Sequence, residues 1–88
     1  MEEYKIFFKK SVEKDFKVVP QAYLSKILDR IENLKSEPRP IGSEKLAGHE
    51  LYRIRQGIFR IVYSIQDHEL TIWIVKVAHR KEIYKKIS

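Results

Sequence analysis

The sequence lacks cysteine, which excludes disulfide bonds, thiol catalysis and the usual cysteine cages of zinc. It has no apolar run near the roughly 20 residues that a membrane-spanning helix needs, and its first residues do not resemble a secretory signal. No internal repeat, low-complexity tract or linker divides the 88 residues, and this length suits one domain, 1–88. We therefore expect a single cytoplasmic domain that uses no cofactor.

Basic residues are unevenly distributed along the chain. Lys and Arg total 18 against 12 Asp and Glu, which gives a net charge of +6 and a pI of about 9.6. Residues 1–44 hold nine basic and eight acidic residues, whereas residues 45–88 hold nine basic and four acidic residues. A basic domain attracts polyanions by releasing their counterions, so nucleic acid is the partner class that this composition favours.

The first half of the chain predicts one strand and two helices. Alternating side chains at 4–8 indicate a strand, and the apolar residues after Ser11, a candidate N-cap, recur at helical spacing. Pro20 suits the first turn of the second helix. The apolar stripe of that helix consists of Leu24, Ile27, Leu28, Ile31 and Leu34. Two prolines within 36–40 end it.

In the second half the apolar period changes to two. Three strands are predicted, at 51–55, 58–65 and 70–78, with turns at 56–57 and near 67–68. A short C-terminal helix is predicted at 81–87. The order β-α-α-β-β-β plus this helix indicates an α+β fold, in which two N-terminal helices pack on one face of a largely antiparallel four-stranded sheet.

The first turn of this meander predicts an arginine face, formed by Arg53, Arg55 and Arg60. A turn at 56–57 pairs the strands so that Arg53 lies directly opposite Arg60, while the other face of the hairpin is apolar. Like charges opposite each other destabilise a sheet, so three arginines on one face indicate that an anion binds there.

The second turn predicts further side chains beside these arginines. A two-residue turn at 67–68 places His79 at the edge of the arginine face and places Trp73, Val75 and Val77 on the same face. A strand that is apolar on both faces is usually covered on both. We therefore expect the C-terminal segment or a partner chain to cover this apolar surface.

Four segments of the chain together resemble a known family. They are KLAG at 45–48, LYRIR at 51–55, FRIVY at 59–63 and HRKEIY at 79–84. In this order, and with this length, they resemble the RelE/ParE superfamily of toxins of type II toxin–antitoxin systems. The resemblance implies a microbial-ribonuclease-like RelE fold. For RelE-type members it also implies a ribosome-dependent endoribonuclease that cuts mRNA and inhibits translation, and a RelB-like antitoxin that silences it.

The resemblance implies that Arg53, Arg55, Arg60, Arg80 and Tyr84 occupy active-site positions, and the pattern of basic and apolar side chains adds the other predicted site residues. Arg53 and Arg55 stand where the best-studied RelE branch has lysines, and His79 stands where that branch has another basic residue. The residues assigned to catalysis are Arg53, Arg60, Arg80, Tyr84 and His79. Those assigned to RNA phosphate binding are Arg55, Lys45, Lys81 and Lys85. Those assigned to antitoxin binding are Trp73, Val75 and Val77.

This residue set fits RNA cleavage without a metal. The 2′-hydroxyl attacks the adjacent phosphorus, which leaves a 2′,3′-cyclic phosphate and a free 5′-hydroxyl. Guanidinium groups bind phosphate oxygens in pairs and stay charged, so the arginines suit the negative charge that grows on the phosphorane. Tyr84 and His79 are the candidates for the base. Arg80 and Arg55 are the candidates for the group that protonates the leaving oxygen.

Two other functions are compatible with the same resemblance. A ParE-type toxin inhibits DNA gyrase, but such toxins generally lack the ribonuclease residues that this chain retains. A catalytically silent relative would bind RNA or ribosomes through its basic face and release no cyclic phosphate. The joint presence of Arg53, Arg60, Arg80 and Tyr84 favours the RelE-type mRNA interferase.

Overall fold

The computed structural model describes residues 3–46, 48 and 50–81. Strand β1 (Lys5–Phe8) leads into helices α1 (Lys10–Val18) and α2 (Gln21–Asn33). The other strands are β2 (Glu44–Lys45), β3 (Tyr52–Gln56), β4 (Phe59–Gln66) and β5 (Thr71–His79), with a 3₁₀ turn at Asp67–Glu69. The predicted C-terminal helix lies outside the described residues beyond its first position.

The five strands form one mixed sheet in the order β1-β5-β4-β3-β2. β1 pairs parallel with β5, and all other neighbours pair antiparallel. The predicted α+β class is therefore confirmed, with two helices on a largely antiparallel sheet. The prediction missed β2, because a strand of two residues is too short to show an alternating pattern.

The helices cover one face of the sheet and enclose the main core. Val12 of α1 and Ile27 and Ile31 of α2 are buried there. The strand side chains that complete this core include Ile54, Ile61, Tyr63, Ile72, Ile74 and Val77. Neither described helix is long and apolar enough to cross a bilayer.

The helix ends differ slightly from the prediction. α1 begins at Lys10, Lys9 occupies its N-cap position, and no side chain caps it, so Ser11 is not the cap. Pro20 is the N-cap residue of α2 and lies one position before its first turn. Its fixed φ and missing N–H are tolerated there, because this position donates no intrahelical hydrogen bond.

The loop after α2 is fixed to the sheet by polar contacts. Arg39 Nη2 lies 2.9 Å from an oxygen of Asp67, and the Tyr4 hydroxyl donates to the same carboxylate at 2.7 Å. These two donors hold the pKa of Asp67 below its usual range. The buried Tyr63 hydroxyl donates to the Pro38 carbonyl at 2.7 Å, and burial raises the pKa of Tyr63 to about 12. The loop is thereby held against β4 and the turn that follows it.

The β3–β4 turn occupies residues 57–58, one position later than predicted. Gly57 has φ +61°, a left-handed conformation that a side chain would strain. Arg55 lies opposite Arg60, so the predicted apposition of Arg53 with Arg60 is wrong by two residues. Because a two-residue slip keeps every side chain on its own face, the arginine face is retained.

The β4–β5 pairing differs more from the prediction. The connection is the 3₁₀ turn at 67–69 followed by Leu70 in a left-handed conformation, in place of a two-residue turn. β5 also contains a β-bulge, which inserts one extra residue opposite β4. The pairs on either side of the bulge are Val62 with Lys76 and Tyr63 with Ile74.

The bulge reverses the alternation of side chains along β5. Before it, Ile74 enters the main core and Val75 packs on the second face, which is the face away from the helices. After it, Val77 is only 2% exposed within the main core, and Ala78 packs on the second face. The assignment of Val77 to an antitoxin-binding surface is therefore wrong, because uniform alternation does not hold across an inserted residue.

Candidate functional site

The β3–β4 hairpin carries Arg53, Arg55 and Arg60 on the second face of the sheet. Arg55 lies directly opposite Arg60, and Arg53 lies two residues before Arg55 on the same face. Arg80 follows β5, and its backbone N–H donates to the Ile58 carbonyl at 2.9 Å, which holds it at the end of the hairpin. We call Arg53, Arg55, Arg60 and Arg80 the arginine cluster.

Arg60 is the buried centre of this cluster. Its side chain is only 9% exposed, and Nη1 reaches the Phe59 carbonyl at a long 3.5 Å. Within the part of the chain that the structure describes, Arg60 Nε has no hydrogen-bond acceptor. A buried donor without a partner costs about 1–3 kcal/mol, and more when it is charged. Arg60 is therefore a donor that needs an acceptor from beyond the residues that the structure describes.

The surroundings of Arg60 are also electrostatically unfavourable for a cation. Burial, followed by the charges of Arg55, Arg53 and Arg80, lowers the pKa of Arg60, whereas Glu44 acts in the opposite direction. Both causes disfavour a charged guanidinium, and an anion bound beside Arg60 would offset both.

Glu44 of β2 supplies the counter-charge at the rim of the cluster. It pairs with Arg53 across the two strands, and its carboxylate forms an ion pair with the guanidinium of Arg53, which is 7% exposed. Glu44 was not predicted from the sequence, since it lies on a two-residue strand that no periodic pattern reveals. Its position directly before the KLAG segment is the sequence feature that could have indicated it.

The proposed phosphate-binding lysines lie at the margins of the cluster or outside the described residues. Lys45 is exposed and pairs with Tyr52, so alternation directs its side chain away from the arginines, and its Nζ lies 3.6 Å from Glu50. Lys81 is exposed and directly follows Arg80. The two remaining assigned residues, Tyr84 and Lys85, lie outside the described residues.

His79 does not join the arginine cluster. It pairs with Phe59, whose side chain belongs to the main core, and the two ring centroids are 6.1 Å apart. His79 Nδ1 accepts the Lys81 N–H at 3.1 Å, and the ring lines a cavity of about 350 Å³ beside the helices. The predicted position of His79 on the arginine face is therefore wrong, because it assumed that β5 alternates without interruption.

The rest of the second face carries apolar side chains. Trp73 is 37% exposed and stacks on exposed Phe7, with ring centroids 5.2 Å apart. Val75 packs against Val62, and a shallow cavity of about 450 Å³ runs along Trp73, Val75 and Leu51. We call Phe7, Trp73 and Val75 the apolar patch. The structure thus brings two of the three predicted docking residues together on one exposed surface.

The arginine cluster is a set of hydrogen-bond donors suited to phosphate. Planar guanidinium groups bind phosphate oxygens in pairs and remain charged near neutral pH. Among residues 3–46, 48 and 50–81, no three His, Asp or Glu side chains lie together so as to hold a metal ion. With Arg60 at its centre, the cluster can bind a phosphate and stabilise further negative charge that develops on it.

Comparisons with known proteins cover most of the chain. Residues 6–84 match a family model described as the ParE toxin of the type II toxin–antitoxin system parDE. The RelE1 protein of Methanocaldococcus jannaschii is 38% identical over 80 residues, which cover 86% of this chain and 89% of that protein. Toxin RelG of Mycobacterium tuberculosis is 29% identical over 87 residues, which cover 94% of this chain and 98% of that protein.

The fold is also similar to a solved structure. The match is to the archaeal RelE–RelB complex from Pyrococcus horikoshii OT3, with a TM-score of 0.78 and 31% sequence identity. It covers 88% of this chain and 94% of that one. The helices and the mixed sheet of this chain therefore match nearly the whole of that chain.

Proposed function

Because the chain belongs to the RelE/ParE superfamily of type II toxin–antitoxin toxins, we propose that it is a RelE-type toxin that cuts mRNA on the ribosome. The observation that carries this proposal is Arg60, a buried cation beside three other arginines, whose Nε has no acceptor in the part of the chain that the structure describes. A phosphodiester supplies both the acceptor and the negative charge that Arg60 requires. The proposal makes the arginine cluster the place where the RNA backbone is held.

In the proposed reaction the 2′-hydroxyl of the RNA attacks the adjacent phosphorus. Its proton passes to a base, for which we propose Tyr84, a residue that the family resemblance supplies. Arg60 and Arg53 hold the phosphate oxygens as negative charge grows on the phosphorane. The bond to the 5′-oxygen breaks, and Arg80 is proposed to protonate that oxygen. The products are a 2′,3′-cyclic phosphate and a free 5′-hydroxyl, and no metal takes part.

The ribosome has two roles in this proposal. It holds the mRNA so that the 2′-hydroxyl and the phosphorus are in line, and such alignment removes a large part of the barrier. Its RNA also attracts a protein with a net charge of +6. We therefore expect little cleavage of free RNA and efficient cleavage of mRNA in translating ribosomes.

An inhibitor of DNA gyrase is the second candidate function, because the matching family model is described as a ParE toxin. Two observations favour the RelE type. The similar curated proteins carry the names RelE1 and RelG. The chain also places three arginines around Arg60, whose buried Nε has no acceptor among the described residues, an arrangement that phosphate chemistry explains and gyrase binding does not require.

We also propose a cognate antitoxin as the partner of the apolar patch. The P. horikoshii RelE chain was solved in complex with RelB. Here Trp73 and Phe7 expose stacked rings beside a shallow cavity, and exposed aromatic side chains are typical anchors of protein interfaces. The net positive charge favours an acidic partner chain.

Primer extension on mRNA from cells that express the protein tests the proposed activity. Wild-type protein should give cuts in phase with codons, and Arg80→Ala should reduce them about 100-fold or more, since the group proposed to protonate the leaving oxygen is lost. Lys14→Ala is the matched control, because it removes an exposed positive charge on α1 and should leave the cuts unchanged.

Three outcomes of this experiment separate the candidate functions. Loss of the cuts in Arg80→Ala, with Lys14→Ala like wild type, supports the mRNA interferase. Intact mRNA together with defects in DNA supercoiling would instead identify a gyrase inhibitor. Intact mRNA with normal supercoiling, in cells where the protein still binds ribosomes, would identify a catalytically silent relative.

A further inference from the structure

Asp15 of α1 contacts β5 at its bulge. The side chain is 7% exposed, its Oδ1 lies 2.6 Å from Lys76 Nζ, and its Oδ2 accepts the Val77 N–H at 3.0 Å. Lys76 pairs with Val62 beside the inserted residue, and Val77 follows it in the strand. One carboxylate therefore binds two consecutive residues next to the bulge.

The Val77 N–H lies beyond the end of the neighbouring strand. β1 accompanies β5 only as far as the pair of Phe8 with Ile74. The Arg80 N–H, three residues after Val77, is bonded on the β4 side, and backbone groups an odd number of residues apart point to opposite edges of a strand. The Val77 N–H therefore points to the edge of β5 along which β1 no longer pairs, and the Asp15 carboxylate supplies the acceptor there.

The bulge determines which side chain at the end of β5 lies beside Arg60. With the bulge, Ala78 pairs with Arg60, and Arg80, two residues further, follows on the same face. Without it, the alternation that begins at Trp73 would continue, which would place His79 on that face and Arg80 on the helix side. A single inserted residue therefore decides whether the cluster contains an arginine or a histidine at this position.

We propose that Asp15 is a positioning residue, which holds the β5 bulge through the Val77 N–H and thereby keeps Arg80 in the arginine cluster. The role of Arg80 in cleavage rests on the proposed function, whereas the hydrogen bond by which Asp15 holds the bulge does not. The hydrogen bond is the essential contact. A buried ion pair such as that of Asp15 with Lys76 can often be replaced by apolar groups at little cost, but a buried N–H without an acceptor cannot.

A matched pair of double variants separates the hydrogen bond from the ion pair. Asp15→Asn with Lys76→Met removes both charges and keeps an oxygen that can accept the Val77 N–H. Asp15→Leu with Lys76→Met removes the same charges, has the same branched arrangement of side-chain heavy atoms and offers no acceptor. Neither variant leaves a buried charge without its partner.

NMR measures the register and the cluster directly in these variants. The Asn variant should keep the cross-strand contacts between Arg60 and Ala78, and inorganic phosphate should still shift the Arg80 Nε–H signal. The Leu variant should lose the contacts and the shift, and its cleavage rate on ribosomes should fall about 100-fold, as expected for a displaced group. If Asp15 served only to fill space in the core, the Asn variant would not be expected to keep the contacts and the phosphate response that the Leu variant loses.

Retention of the Arg60–Ala78 contacts and of the phosphate response in the Leu variant would overturn the proposal. If that variant does not fold, amide hydrogen exchange in the variant with Asp15→Asn and Lys76→Met decides. Protection of the Val77 N–H supports the proposal, and exchange as fast as at an exposed amide overturns it. These measurements need no nuclease activity. If the wild-type protein cuts no mRNA, the proposed function is refuted, and the NMR and hydrogen-exchange results still decide the role of Asp15.

Discussion

Replacing Arg60 with methionine should nearly abolish mRNA cleavage and leave the protein at least as stable as the wild type. The loss of one preorganised donor to the phosphorane should lower the cleavage rate by about 10²–10³-fold. The folded protein also loses a buried guanidinium that has three cationic neighbours and an Nε without an acceptor among residues 3–46, 48 and 50–81. Exchanging buried charges for apolar side chains is often neutral or stabilising by about 1–4 kcal/mol. Cleavage on programmed ribosomes and thermal unfolding measure the two effects.

Arg39→Met is the control for this variant. Arg39 forms an ion pair with Asp67 and a hydrogen bond with the Tyr52 hydroxyl, away from the arginine cluster. Its replacement should lower the unfolding temperature and leave the cleavage rate unchanged, which is the reverse of the result expected for Arg60. An Arg60→Met protein that unfolds at a clearly lower temperature and cuts mRNA at the wild-type rate would show that Arg60 has a structural role.

Trp73→Asp should weaken the complex with the cognate antitoxin by about 30-fold or more, which is the usual effect of losing a central aromatic anchor. The change removes the ring that stacks on Phe7 and places a charge in the apolar patch. Because Trp73 is partly exposed in the toxin alone, the fold should tolerate the substitution. Titration calorimetry with the purified antitoxin measures the affinity.

Ile41→Asp is the matched control for the apolar patch. Ile41 is 98% exposed in the loop after α2 and does not belong to the patch. The substitution makes the same kind of change, from a large apolar side chain to a carboxylate, and should leave the affinity unchanged. Equal affinities for the wild type and Trp73→Asp would refute the assignment of the patch to the antitoxin.

The arginine face could be predicted from local pattern alone. Alternation along 51–55 and 58–65 assigns each side chain to a face, and a slip of two residues in the hairpin changes the partners without changing the faces. Arg53, Arg55 and Arg60 therefore share a face although the predicted pairing was wrong. The apolar stripe predicted for α2 likewise includes Ile27 and Ile31, which are both buried.

The remaining features of the site depend on contacts that are distant in sequence. The bulge in β5 is held by Asp15, 62 residues before Val77, so no local pattern in β5 reveals it. The same tertiary contact explains why Val77 and His79 were assigned to the wrong face. The unpaired Nε of Arg60 depends on how neighbouring strands enclose it, which residue types alone do not specify.

The central claim is that this toxin cuts mRNA through attack by the 2′-hydroxyl. The most direct test is the chemistry of the RNA ends that purified protein produces on ribosomes programmed with mRNA. The upstream fragment should end in a 2′,3′-cyclic phosphate and the downstream fragment should begin with a 5′-hydroxyl. An mRNA with a single 2′-deoxynucleotide at the cleavage position should stay intact there. Fragments that end in a 3′-hydroxyl, or equal cleavage of the 2′-deoxy substrate, would contradict the claim.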